Sequence, residues 1–220
     1  MGAVQLRRWS SLAGLVAVVL FVLGAILLFD GPTDSSPAKM TAWYQSSSHR
    51  GHIQIGWLLF GLGLFFFVWF LAALRERVSM SERADGGSFL ANVVMVGGTA
   101  FAAGGIAVAG IAAGYKTMSD DTYQHQVYSG VIHGANDATY QILVTAGGAG
   151  LAALIFAVSS AVFSYGMLPR WVGWFGVVAG IAAIFSVVFF TMLVWLLWIA
   201  VISILLFTRR GTPATAATVT

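Results

Sequence analysis

The side chains best suited to chemistry in this chain are its four histidines, His49, His52, His125 and His133, which fall in two polar stretches between long apolar runs. The acids Asp30, Asp34, Asp120, Asp121 and Asp137 fall in the same two stretches. Imidazole and carboxylate together suit a divalent zinc, copper or iron ion. His49 and His52, three residues apart, would share a helix face if the helix that follows them begins early. Against a metal site stands a structural reading: acids beside helix ends serve as caps and turns, and histidines rest readily at a membrane boundary. Gln54, Gln141 and Asp137, with His133, are expected near the same boundary. They could line a shallow polar pocket, or each could simply reach interfacial water.

Much other chemistry is excluded. Cysteine is absent, which removes disulfides, thiolate metal sites, iron–sulfur clusters and cysteine nucleophiles. The chain contains no HExxH, GxSxG, Walker or GxGxxG motif. An enzyme is therefore not the expected reading, and no cofactor is expected.

The elements that must position these residues are membrane helices. Hydrophobic residues make up 59% of the chain and charged residues 9%, against roughly 25% charged in a soluble domain. Mean hydropathy is +0.87. About 20 helical residues cross a bilayer core, and the apolar runs divide into spans at approximately 12–29, 53–74, 89–114, 141–163, 171–188 and 190–207, followed by a tail at 211–220 expected to be disordered. The first run is longer than the roughly 7–15 apolar residues of a signal peptide and is expected to be retained as a helix. The uncharged stretch from Trp171 to Phe207 would measure roughly 55 Å as one helix, too long for a core of about 30 Å. A turn around Ser186 to Thr191 resolves it into two.

Charge placement supports this count, because cytoplasmic loops collect Lys and Arg. With the N-terminus inside, Arg7, Arg8, Arg75, Arg77, Arg83, Arg170, Arg209 and Arg210 all lie inside, and only Lys39, Arg50 and Lys116 lie outside. An all-α polytopic transmembrane bundle of about six helices, both termini cytoplasmic, is the consistent solution. The net charge of +3 and pI near 9.5 come from scattered basic residues, so nucleic acid is not an expected partner. Two long outer loops remain, at about 30–52 and 115–140. The second carries a capping-box pattern, Asp121-Thr122-Tyr123-Gln124, and Asn136 or Asp137 is expected to cap the fourth span.

Helices in lipid associate by close packing, which small residues permit. The third span offers Gly97, Gly98, Gly104, Gly105 and Gly110-x-x-x-Gly114, the fourth Gly147, Gly148 and Gly150, and the fifth Gly176-x-x-x-Gly180, so these three spans are expected at the tightly packed centre. The Phe-rich second span and the Trp-rich sixth are expected to face lipid, with Thr191 and Ser203 as partners for the indole N–H groups of Trp195 and Trp198. No ionisable residue falls inside a predicted span, which argues against a proton- or ion-coupled transporter.

The block from Trp57 to Arg77, the turn Leu168-Pro169-Arg170-Trp171-Val172-Gly173-Trp174 and the apolar hairpin closed by Arg209-Arg210 resemble a family of uncharacterised multi-pass membrane proteins frequent in actinobacteria. The resemblance covers about 150 residues. It implies a bacterial cytoplasmic (inner) membrane location and a similar helix count, and it supplies no catalytic residue. The leading expectation is a non-enzymatic membrane component that packs, within the lipid bilayer, against itself as a homo-oligomer or against another membrane protein. The alternatives are a carrier or pore for a small neutral or lipid-like molecule, and a metal or haem protein using the outer histidines.

Overall fold

The computed structural model describes residues 3–28, 36–118, 129–185 and 189–208. Helices run over Ala3–Leu28 (α1), Pro37–Gln45 (α2), Ser47–Glu82 (α3), Phe89–Met118 (α4), Ser129–Ile142 (α5), Gly148–Tyr165 (α6), Arg170–Ile184 (α7) and Phe189–Thr208 (α8). No strand occurs among the described residues. Five helices are long and apolar enough to cross a membrane, and α7 is a shorter apolar helix. The chain is thus a multi-pass helical bundle, with the short α2 lying outside the apolar spans.

The apolar helices close into a ring in which α1 touches α3, α3 touches α4, α4 touches α6, α6 touches α7, α7 touches α8 and α8 returns to α1. Aromatic side chains fill its middle. Phe101 of α4 packs against Phe67 of α3 with centroids 5.1 Å apart, against Trp195 of α8 at 5.7 Å and against Phe21 of α1 at 6.3 Å. Phe70, Leu154, Ile155, Trp198 and Ile199 complete this centre and are almost fully buried. The Phe-rich α3 and the Trp-rich α8 therefore carry much of the core, where the sequence suggested lipid-facing helices. Each has two faces: Phe65 and Trp69 of α3 are exposed while Phe67 and Phe70 are buried, a split that composition alone does not report.

Glycines set how near the backbones come. A Cβ on Gly97 of α4 would sit 2.5 Å from the carbonyl oxygen of Gly150 in α6, and a Cβ on Gly150 would sit 2.7 Å from that of Gly97. Gly176 and Gly180 of α7 lie against Ser159 and Phe156 of α6. At Gly110 and Gly114 an added Cβ would meet nothing within 4 Å, so this pair opens outward from the bundle.

Local chemistry explains the turns. Gly166 ends α6 at φ 64 with its N–H on Val162 O, a left-handed C-terminal cap, and Pro169 then precedes the first turn of α7. Between α3 and α4, Gly86 takes φ 72 and donates its N–H to Arg83 O at 3.2 Å. The preceding Glu82 is 2% exposed, and its carboxylate accepts from Leu90 N at 2.8 Å and Ala91 N at 2.9 Å.

Three boundaries differ from the sequence reading. α3 begins at Ser47, six residues before the expected span, and measures about 54 Å. The polar loop before it contains α2, with Pro37 in its first turn, where its missing N–H costs nothing. Finally, Asn136 and Asp137 lie inside helix and cap nothing. Helix runs on from α5 through a π-turn at Leu143–Gly147 into α6, with the Gly148 N–H reaching back to Leu143 O. The expected capping box at Asp121 to Gln124, together with His125 and the 211–220 tail, lies outside the described residues.

Candidate functional site

Of the residues expected at the outer membrane boundary, His49 falls at a helical corner and Gln54 lines a furrow. At the corner, α2 meets α3 through Ser46. The terminal carbonyls of α2 have no intrahelical partners, and Arg50 fills that need by donating to Gln45 O at 2.6 Å and to Tyr44 O at 3.2 Å. A cation at a helix C-terminus also complements the helix dipole. His49 stacks on Trp43 with centroids 4.7 Å apart and planes 8° from parallel, and its Nδ1 lies 3.2 Å from Trp43 O. Its ring thus helps hold the corner closed.

Tyr44 anchors this corner to the bundle, packing with Ile53 of α3 and Ala112 of α4. Its burial pushes its pKa above the ordinary tyrosine value, while the Asn136 side chain of α5 beside its hydroxyl acts in the opposite direction. The fold thus favours the neutral phenol. That contribution to stability is present below the unfolded tyrosine pKa near 10 and is lost as pH climbs through the higher folded value.

His52 is exposed on α3 and His133 on α5. Among the described residues, no three His, Asp or Glu side chains are grouped to hold a metal ion. Gln54 lines the end of the furrow nearest His52; Asp137 and Gln141 are exposed on α5 and are not part of its lining. The Gln141 carbonyl accepts the Thr145 hydroxyl across the start of the π-turn. The indole nitrogens of Trp195 and Trp198 and the Ser203 hydroxyl are buried without a partner among the described residues. Thr191 instead donates to Phe185 O at 3.0 Å. Ser203 lies five residues from Trp198, about 140° around the helix, and is directed at Gly14 of α1.

Two hollows lie in line on the outside of the bundle between α3 and α4 and together make up the furrow. Beside Ile53, Trp57 and Leu64, its α3 wall includes the stripe Gln54, Leu58, Gly61, Phe65, Val68, Ala72 and Arg75, alternating four and three residues apart. That is the spacing of a seam that accepts another helix. The α4 wall includes Ala102, Ile106, Ala109, Gly110 and Ala113 toward the histidine-bearing end and Asn92, Met95 and Val96 toward the opposite end. The larger part offers about 780 Å³ and the notch at Arg75 about 440 Å³. From Gln54 to Arg75 is about 31 Å along α3, which matches a hydrocarbon core of about 30 Å.

This surface was missed in the sequence because its small residues were read as part of a closed centre. The signal available was the sustained four-three alternation on α3, which runs on the face opposite Phe67 and Phe70. Comparison with family models, with curated proteins and with solved structures finds no match.

Proposed function

We propose that the protein is a non-enzymatic component of a bacterial cytoplasmic membrane that acts by lateral helix contact, through the α3/α4 furrow, with a second copy or another membrane protein. The observation that carries this reading is the pairing of a filled centre with an open exterior seam. Phe21, Phe67, Phe101, Trp195 and Trp198 occupy the space a central path would need. Gly61, Ala109 and Gly110 leave relief between the ridges of Leu58, Phe65 and Ile106. Such relief lets a third helix approach closely, and close packing is what associates helices in lipid.

The absence of cysteine makes the test direct. With Leu58→Cys or Ile106→Cys in native membranes, mild oxidation should trap a disulfide-linked dimer, or a mixed product where the partner offers a thiol. The lipid-exposed controls Val178→Cys and Leu197→Cys should give little. Equal trapping at all four positions, or none at any, would remove the furrow as the contact surface.

Both termini are proposed to be cytoplasmic. Supporting this, Arg75, Arg77, Arg83 and Arg170 gather at one end of the bundle, and Trp9 near the start of α1 packs on Phe207 near the end of α8 with centroids 6.4 Å apart. Reporter fusions near 80 and 215 should therefore give the same cytoplasmic signal, and opposite signals would overturn the topology.

A further inference from the structure

We propose that the notch at the arginine-bearing end of the furrow binds an anionic phospholipid, its phosphodiester held by Arg75 and Asn92 and one acyl chain lying along Ala72, Met95 and Val96. Charge is the first argument. Arg75 is exposed, and its guanidinium makes no hydrogen bond or ion pair with any described residue. Arg50, by contrast, is occupied by two carbonyls of α2. A planar guanidinium presents a fork of donors that matches phosphate oxygens.

Asn92 adds a second polar group to the same notch. It is exposed, and the bond from its amide nitrogen to Ser88 Oγ is 3.5 Å long, too long to hold the amide firmly. It can turn to donate to a second phosphate oxygen.

Depth is the second argument. Trp9, Trp171 and Trp174 are all at least half exposed at this end of the bundle, and exposed tryptophans settle at headgroup level. Arg75 follows the last apolar turn of α3, so its charge lies near the same level. Basic notches between membrane helices on the cytoplasmic side are where anionic headgroups lodge.

The shape below the charge also fits a lipid. From Arg75 and Ala72 in the notch the same α3 stripe leads to Val68 and Phe65 in the larger hollow, ten residues or about 15 Å along the helix. That is half of a core of about 30 Å, the reach of one leaflet's acyl chain. The half lined by Leu58, Gly61, Ile106 and Gly110 remains open to a helix, so the lipid site stands whether or not the lateral-contact reading holds.

The test uses the full chain in mild detergent and compares thermal unfolding with phosphatidylglycerol, with phosphatidylcholine of identical chains, and with inorganic phosphate. At saturating lipid, phosphatidylglycerol should raise Tm by about 5 °C more than phosphatidylcholine. Phosphate alone should do nothing, since it has no chain to seat. Arg75→Gln should erase the difference between the lipids, while Arg170→Gln, at an exposed arginine of the same end, should keep it. Because the readout is a difference between two lipids on one variant, any change in that variant's own stability cancels. A preference that survives in Arg75→Gln, is lost equally in Arg170→Gln, or is matched by phosphate alone would overturn the site.

Discussion

Replacing Gly150 with valine should lower the stability of the purified protein by about 3 kcal/mol or more, near or above the top of the usual range for overpacking. For a chain of this size that corresponds to a fall in Tm of roughly 6–12 °C. The reason lies in what the new side chain would strike. A Cβ at Gly150 would stand 2.7 Å from Gly97 O, 2.9 Å from Ala100 Cβ and 3.0 Å from Phe101 N. Two of these are backbone atoms of α4, which cannot swing aside as the end of a flexible side chain can. The helices would have to separate, and Phe101, the hub of the central aromatic contacts, would move with α4.

Gly110→Val makes the comparison decisive. It places the same side chain on α4 where an added Cβ meets nothing within 4 Å. Its Tm should stay close to that of the parent protein, yet it should weaken trapping at Leu58→Cys, because Gly110 lines the furrow. Equal loss of stability in the two variants would show that the α4/α6 crossing is not held by close backbone approach.

This contrast also shows what the sequence could and could not disclose. Small-residue content marked Gly97 and Gly150 alongside Gly110 and Gly114 as candidates for close packing. Yet Gly97 and Gly150 meet each other's backbone across two distant parts of the chain, while a Cβ added at Gly110 or Gly114, which repeat at a helical interval, meets nothing within 4 Å. Spacing within one helix says which residues share a face. It does not say which neighbour that face meets. The same limit explains Phe65 and Phe67, adjacent in a uniformly apolar run yet on opposite sides of α3. In oil, polarity no longer marks inside from outside, so the contrast that identifies a soluble core is missing.

What hydropathy did disclose was the number and rough extent of the apolar helices, because backbone groups in lipid must be satisfied within the segment. Helix outside that constraint was harder to read. The early start of α3 and α5 are rich in Ser, His, Gly and Asn, and the nine-residue α2 carries Pro, Thr, Trp and Tyr, residues of modest or poor helix propensity. Tertiary contacts stabilise them, as where Arg50 closes α2 and Tyr44 packs on Ile53 and Ala112.

The second large effect should come from Glu82, at the opposite end of the bundle from that corner. The first N–H groups of α4 have no carbonyl four residues earlier to accept them, and Glu82 supplies one carboxylate oxygen to Leu90 N and the other to Ala91 N. Its own carbonyl also accepts from Gly87 N at 3.4 Å, so this residue ties both ends of the α3/α4 turn. The positive end of the α4 dipole faces the carboxylate and offsets its burial. Glu82→Ala would leave one buried and one partly buried donor unmet, at about 1–3 kcal/mol each and less than additively, for a total near 3 kcal/mol and a fall in Tm of roughly 6–12 °C.

Glu82→Gln is the sharper variant, since it keeps the size of the side chain. Its amide offers one accepting oxygen and turns an NH₂ group toward the second N–H, so it should recover well under half of the loss. Amide hydrogen exchange at Leu90 and Ala91 should accelerate in both variants, while Val158 in the middle of α6 should follow only the global change in stability. A Glu82→Gln protein with parental Tm and unchanged exchange at Leu90 and Ala91 would show that the carboxylate does not hold the start of α4. A destabilised variant should also blur the lipid preference assigned to Arg75, because Asn92 is the residue after Ala91 and its place in the notch depends on that first turn.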